Sequence, residues 1–298
     1  MSKEEIIHQH ARRVARGLIV DEFDTPRNLE FLRGDKLKDK CYLIIGGTNG
    51  IGAATGILFA LQGARVIVNY HANPRRVDYM KAQLDAAGAD LSRFAFVKAD
   101  ITDQRQIYGL YERVKEEFDG GIDAIGLYAA GGAGKKNNTF AWRINHIAQL
   151  NLAELALEHE VFPETGGDLL WVTSNYALGY KGVAEPANPA LTDYLTDYHP
   201  VARWKHRTGI ELDRMESQLT INNVRLLTLS GPIVPHTSAI DVIQLRTPHL
   251  YPLLISYFNE ASRLDMAAGA LDLLTNPHFA SGDVLFVTQN YSHHHFPR

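Results

Sequence analysis

The chain has 298 residues, 45% of them hydrophobic, with 30 basic against 34 acidic side chains and a formal net charge of -4. That length suffices for one large α/β domain, and the near-neutral balance without a basic stripe excludes nucleic acid and an anionic membrane as expected partners. Its single cysteine, Cys41, excludes a disulfide framework and, lying in the apolar run 41–45, reads as a small buried hydrophobe rather than a nucleophile.

Residues 1–37 read as an N-terminal helical extension. Ser2 and Glu5 have capping-box spacing, and Ile7, Ala11, Val14 and Leu18 follow at helical intervals to form one apolar stripe. The stripe needs cover from the domain or from a sister subunit; Arg12, Arg13 and Arg16 between its members also suit a membrane surface. The start, Met1-Ser2-Lys3-Glu4-Glu5, has no apolar leader and no run of about 18 apolar residues occurs, so a soluble, cytoplasmic protein is expected.

From Tyr42 onward, strand-like runs fall at 42–45, 66–69, 94–98, 122–129, 169–173, 224–229 and 284–287. Each connection between them is long enough for a parallel crossover. Residues 38–298 are therefore expected to form a single Rossmann-type α/β domain, a doubly wound seven-stranded parallel sheet flanked by helices. One helix is especially clear: Ile107, Leu110, Tyr111, Val114 and Phe118 share a face, with Asp103 and Gln106 placed to cap its start. Neither an internal repeat nor a low-complexity segment calls for a second domain.

Between the first strand and the helical run 53–60 stands Gly46-Gly47-Thr48-Asn49-Gly50-Ile51-Gly52. A dinucleotide pyrophosphate needs close backbone approach and free N–H groups at a helix N-terminus, which a Cβ at Gly46, Gly50 or Gly52 would obstruct. Asn69 ends the second strand without the carboxylate that would repel a 2′-phosphate, and Arg75 and Arg76 follow shortly. NADPH is the expected cofactor, with NADH as the alternative.

Tyr198 and Lys205 stand seven residues apart, a phenolic proton donor with an ammonium able to hold a ribose and favour the phenolate. Lys205 opens a helical run to Leu219, while Tyr198 falls in a polar-aromatic stretch with Tyr194, Asp197 and His199 that reads as a loop. His293, His294 and His295 resemble a metal cluster, yet neighbouring side chains diverge and no partner motif accompanies them, so a solvated tail and no metal are expected.

The glycine turn resembles the Gly-x-x-x-Gly-Ile-Gly turn of the short-chain dehydrogenase/reductase family, and later landmarks, over roughly 38–290, keep that family's order. The resemblance implies roles. Asp100, followed by Ile101, would contact adenine; Ala130-Gly131 would match the tail of the family's Asn-Asn-Ala-Gly, with Tyr128 and Ala129 replacing both asparagines. Ser174 would be the catalytic serine, and Asn145, with Asn151 as its rival, the helix asparagine holding a water linked to the lysine. Gly231-Pro232-Ile233 would line the nicotinamide and Thr237 would contact its amide. The long interval from Ser174 to Tyr198 implies an insertion at 181–193.

Most of the family uses Tyr-x3-Lys, but the positions that would complete that pair here are Val201 and Ala202. Tyr-x6-Lys and Gly-Pro-Ile are similar to the enoyl-thioester reductase branch, which implies reduction of an activated C=C bond in an acyl-thioester or enone, within fatty acid or polyketide metabolism. In such a conjugate reduction hydride and charge land on separate atoms, so a donor set back along the chain can serve the distant oxygen. Two alternatives stand beside it: a ketone reductase or alcohol dehydrogenase using Ser174 with Tyr198, and an inactive dinucleotide-binding protein, suggested by the missing asparagines. The apolar stretch 234–259 suits either a lid over an acyl chain or ring or a buried dimer contact. The family likeness implies a homodimer or homotetramer with a small-molecule substrate.

Overall fold

The computed structural model describes residues 32–118, 121–133, 138–178, 192–234, 237, 240, 260–289 and 291–292, with backbone alone at 86 and 192–197. Seven strands alternate with helices: β1 (Cys41–Ile45), α1 (Gly50–Leu61), β2 (Arg65–Tyr70), α2 (Pro74–Ala86), β3 (Phe94–Lys98), α3 (Gln104–Glu117) and β4 (Ala124–Leu127). There follow α4 (Asn138–Trp142), a π turn (Arg143–Ile147), α5 (Ala148–Glu158), β5 (Gly167–Ser174), α6 (Asn175–Leu178), α7 (Thr192–Ile221), β6 (Val224–Gly231), α8 (Arg263–Thr275) and β7 (Val284–Phe286). The strands form one sheet in the order β3-β2-β1-β4-β5-β6-β7, and every pair is parallel. This is the doubly wound Rossmann-type architecture. Its strand order reverses direction between β1 and β4, the place where such sheets open a crevice at their carboxyl edge.

Period-two alternation distributes the core. Tyr42, Ile44, Val66, Val68, Leu170, Val172, Leu227 and Leu229 face one layer with Ile57, Leu58 and Phe59 of α1 and Met266 and Leu271 of α8. Leu43, Ile45, Ile67, Ile125, Leu127, Leu169 and Trp171 face the other, with Ile107, Leu110, Tyr111 and Val114 of α3, Leu152 of α5 and Leu212 of α7. Each such side chain contributes roughly 1.5–3 kcal/mol of transfer free energy. The expected α3 start is present in detail: Asp103 accepts from the Arg105 N–H at 3.0 Å, and Gln106 donates to the same carboxylate at 3.2 Å.

Two details differ from the expectation, and a third extends it. β4 is confined to Ala124–Leu127, shorter than 122–129, because the chain leaves the sheet after its last pair, Leu127 with Trp171. α7 starts at Thr192, well before Lys205, so Tyr198 is helical and not in a loop. Pro200 lies inside this helix, where a proline is a local signal for a break, but the buried Val201 and Ala202 tie this turn to the domain and carry the helix through. Finally, residues 32–37 of the N-terminal extension pack on the domain: Leu32 and Leu37 are buried in the α1 layer, and the Gly34 and Leu37 N–H groups donate to Leu61 and Gln62 carbonyls. The apolar stripe of residues 7–18, most of the insertion at 181–193, the histidines 293–295 and the stretch 241–259 lie outside the described residues.

Candidate active site

One cleft of about 400 Å³ runs along the carboxyl edge of the sheet, lined from the ends of β1 through β6. Its walls include Gly46, Thr48, Asn49, Gly50, Ile51 and Gly52 from the first turn, then Asn69, Arg76, Asp100, Ile101, Ala130, Gly131, Ser174, Tyr198, Lys205, Gly231, Pro232, Ile233 and Thr237. The parallel register thus collects in one groove residues scattered along most of the chain.

The glycine turn has the shape that close backbone approach demands. Gly46 and Gly50 hold φ of 77° and 58°, a region that L side chains avoid. A Cβ on Gly46 would stand 2.9 Å from the Ala129 Cα, and one on Gly52 would stand 2.9 Å from the Gly46 carbonyl oxygen. No acidic side chain occupies the first turn of α1, so the positive end of its dipole faces the cleft uncompensated. These residues fit a dinucleotide pyrophosphate.

At the end of β2 the buried Asn69 donates its amide to the Val97 and Ala99 carbonyls at 3.4 and 3.1 Å, bracing β3 against β2. Asp100 accepts from the Thr102 N–H and hydroxyl at 2.9 and 2.8 Å, with His71 Nε2 at 3.5 Å from its other oxygen. Burial opposes ionisation of Asp100, yet the Thr102 bonds and His71 together hold its carboxyl below the usual range. Of the two arginines expected here, only Arg76 lines the cleft; Arg75 is exposed in the first turn of α2, where its backbone N–H donates to Asn73. His71 also lines the groove and carried no readable signal in the sequence.

At the opposite end, α7 places Tyr198 and Lys205 on one helical face, about two turns apart. Tyr198 donates its phenol to Ser174 Oγ at 3.1 Å. That oxygen also accepts the Ala177 N–H at 3.2 Å, so Ser174 starts α6 and faces the phenol at once. Lys205 is 9% exposed and donates to the Val172 carbonyl at 2.9 Å. Burial lowers its pKa to about 8. Tyr198 shifts the other way: burial raises its pKa, and the Ser174 bond only partly offsets this. The phenol is therefore protonated at neutral pH, in contrast to the expected drift toward phenolate.

Asn145 does not line the cleft. Its amide nitrogen donates to the Gly131 and Ala141 carbonyls at 2.7 and 2.8 Å, and its Oδ1 accepts the Gly131 N–H at 3.3 Å. Its own carbonyl accepts from Thr208 at 2.6 Å. The π turn that presents this side chain makes it a clamp on the loop after β4. Tyr128, standing where the family has asparagine, packs its ring over Gly126, the one residue of β4 without a Cβ to obstruct it. Sequence reasoning also missed Asn175 and Tyr176, immediately after Ser174, and Val201 between the paired residues, all of which line the groove. Val201 was legible as the occupant of the usual tyrosine position.

The family model described as short chain dehydrogenase matches residues 40–184. Galactitol 2-dehydrogenase of Agrobacterium fabrum is 38% identical over 90 residues, covering 30% of this chain and 32% of that one. The 3beta-hydroxysteroid dehydrogenase of Mediterraneibacter gnavus is 23% identical over 214 residues, 70% of this chain and 72% of that one. The chain spans about a third of the length of the first curated relatives it matches. Among solved structures, a 7 alpha-hydroxysteroid dehydrogenase complexed with NADH and 7-oxo glycochenodeoxycholic acid shares the fold, with a TM-score of 0.69, 22% identity, and coverage of 87% of this chain and 95% of that one.

Proposed function

We propose that this chain is a member of the short-chain dehydrogenase/reductase family, whose model matches residues 40–184, and that it interconverts a ketone and a secondary alcohol with a nicotinamide dinucleotide. The observation that carries the reading is the Tyr198 phenol hydrogen-bonded to Ser174 at 3.1 Å inside the cleft. Two hydroxyls side by side form a cradle for one substrate oxygen.

A bound reduced nicotinamide supplies the hydride. Tyr198, whose phenol is protonated at neutral pH as any tyrosine's is and is kept so by burial, gives its proton to the substrate oxygen as the carbonyl π pair moves onto it, and solvent later restores the phenol. Ser174 steadies the developing oxyanion. Lys205, Gly131, Gly231, Pro232 and Ile233 would hold the nicotinamide riboside end, with Asn145 fixing Gly131 and Thr237 close beside Gly50. Gly46 to Gly52 would hold the pyrophosphate, and Asn69, Asp100 and Ile101 the adenosine. NADPH is favoured over NADH by Arg76 in the groove and by the amide, not a carboxylate, at Asn69.

Reduction of an activated C=C bond is the second reading. It is supported by the two-turn separation of Tyr198 and Lys205 on α7, with the small Val201 between them setting the phenol back along the helix. Steady-state NADPH oxidation with a cyclic ketone and with a crotonyl thioester separates the two. Faster turnover of the ketone is expected, and the opposite order overturns the first reading in favour of the second. Tight NADPH binding with neither substrate turned over would leave a dinucleotide-binding protein. A homodimer or homotetramer goes with the family reading, supported by Phe140 and Trp142, which are large and exposed on α4. Among the described residues no helix is long and apolar enough to cross a membrane.

A further inference from the structure

The two ends of the groove are braced by one short piece of chain, the π turn at Arg143–Ile147. The Ala148 N–H closes it on the Arg143 carbonyl, and side chains of the two neighbouring helices hold it in place. Gln149 Nε2 of α5 donates to the Ile144 carbonyl at 3.1 Å, and Thr208 Oγ1 of α7 donates to the Asn145 carbonyl at 2.6 Å. Residues two apart on a helix point to separate sides. Asn145 grips Gly131 in the loop after β4, whereas Arg143 turns to the loop after β3, a strand that β2 and β1 separate from β4 in the sheet. Arg143 Nη2 donates to Thr102 Oγ1 at 3.0 Å and to the Thr102 carbonyl at 3.4 Å. The Thr102 hydroxyl in turn donates to Asp100 Oδ1 at 2.8 Å, joined there by the Thr102 N–H at 2.9 Å. On the loop's other flank, Gln106 Oε1 of α3 accepts the Asp100 N–H at 2.9 Å. This chain of donors, each polarised by the one before it, occupies Oδ1 and leaves Oδ2 of Asp100 beside His71, with both residues lining the groove.

We infer that Arg143 is a positioning residue for the adenosine end of the dinucleotide, and that the π turn couples that end to the loop at the nicotinamide end. The inference rests on the reading of the cleft as a dinucleotide site with Asp100 at the adenosine. Arg143 is exposed and lies outside the groove lining, so it acts through Thr102. An adenine amino group can donate to Asp100 Oδ2 while the carboxylate keeps this orientation. With Oδ1 held by Thr102 and Thr102 held by Arg143, the orientation is set before the ligand arrives, which lowers the ordering cost of binding. The same contacts run in reverse: adenosine steadies Asp100 and Thr102, these steady Arg143, and the locked turn carries the constraint to Asn145 and Gly131. Coupling between two ends of a site is reciprocal by thermodynamic necessity.

The test uses the full chain with NADPH, NADH and adenosine 5′-diphosphate, the half that the two cofactors share. In fluorescence titrations Arg143→Ala should weaken NADPH and NADH alike, by about fivefold, the lower end of coupling between sites. An equal loss marks an effect on the adenine side, since a 2′-phosphate effect would spare NADH. Arg143→Lys, which keeps a cationic donor for the Thr102 oxygens, should recover most of the loss. Hydrogen exchange supplies a readout that simple destabilisation does not move. In the wild type, saturating adenosine 5′-diphosphate should slow exchange in residues 129–132, where the Gly131 N–H donates to Asn145 Oδ1 at 3.3 Å, although the fragment ends before the nicotinamide half. In Arg143→Ala, with the fragment again saturating, that slowing should be lost while residues 100–103 stay protected by direct contact. Unchanged affinities in Arg143→Ala, or no slowing at 129–132 in the wild type, overturns the inference. A wild type that binds neither NADPH nor NADH defeats the dinucleotide reading and this inference with it; a wild type that binds both, with a variant that behaves identically, defeats this inference alone.

Discussion

Lys205 should destabilise the cofactor-free protein, and the size of that effect can be read from pH. The Lys205 residue is 9% exposed, its ammonium donates to one carbonyl, and burial takes its pKa from 10.5 to about 8. Because the folded pKa lies below the unfolded one, the unfolded chain binds more protons between those values, and stability rises with pH through the window. Below about 8 the folded state carries the full burden of the buried charge, and above about 10.5 it carries none. Integrating that linkage between pH 7 and pH 9.5 gives the wild type a gain of about 2 kcal/mol from this one group. Lys205→Met removes it while keeping the length of the side chain. Urea unfolding of both proteins, without cofactor, at several pH values across that range measures the difference; other titrating groups cancel. The variant should be the more stable protein at pH 7, its advantage should shrink by about 2 kcal/mol at pH 9.5, and it should lose turnover. Parallel stability profiles for the two proteins would refute the argument, since the ammonium would then not be desolvated.

Ser174→Ala should lower kcat/KM for a cyclic ketone by about 100-fold with NADPH affinity unchanged; a loss under threefold in steady-state assays would remove the serine from the oxyanion cradle. Arg76→Ala should weaken NADPH by about tenfold, the scale of one charged hydrogen bond, and leave NADH alone, whereas Arg75→Ala should alter neither; fluorescence titration of both cofactors checks the pair. Gly46→Ala should weaken either cofactor by at least about tenfold, because the added Cβ meets Ala129 at 2.9 Å and the residue is held at φ 77°; an intact affinity would mean the turn rearranges freely.

Much of the frame was legible because it is written in local periods. β-branched runs such as Val66-Ile67-Val68 alternate between two buried faces, and the Asp103 cap with its spaced apolar residues defines α3 without help from the rest of the chain. The glycine turn was legible too, since its demand is steric and acts over seven residues. Helix α7 was not. Pro200 is a local signal for a break, and it was outweighed by burial of Val201 and Ala202, information that resides in the layer they pack against.

The site divides along the same line. Order along the chain determined that a glycine turn of a shape suited to a phosphate would precede a tyrosine and a lysine, because each of those residues answers to a chemical need that its neighbours disclose. Which groups meet was decided by the parallel register of β4, β5 and β6 and by the seating of α7 against them. Those contacts join Tyr198 to Ser174 across 24 positions, Lys205 to Val172 across 33, and Asn145 to Gly131 across 14. They also set Arg76 in the groove and Arg75 outside it, although the two are adjacent. A side chain's direction depends on the helix phase relative to the sheet, and that phase comes from packing the whole core at once, which no short stretch of sequence carries.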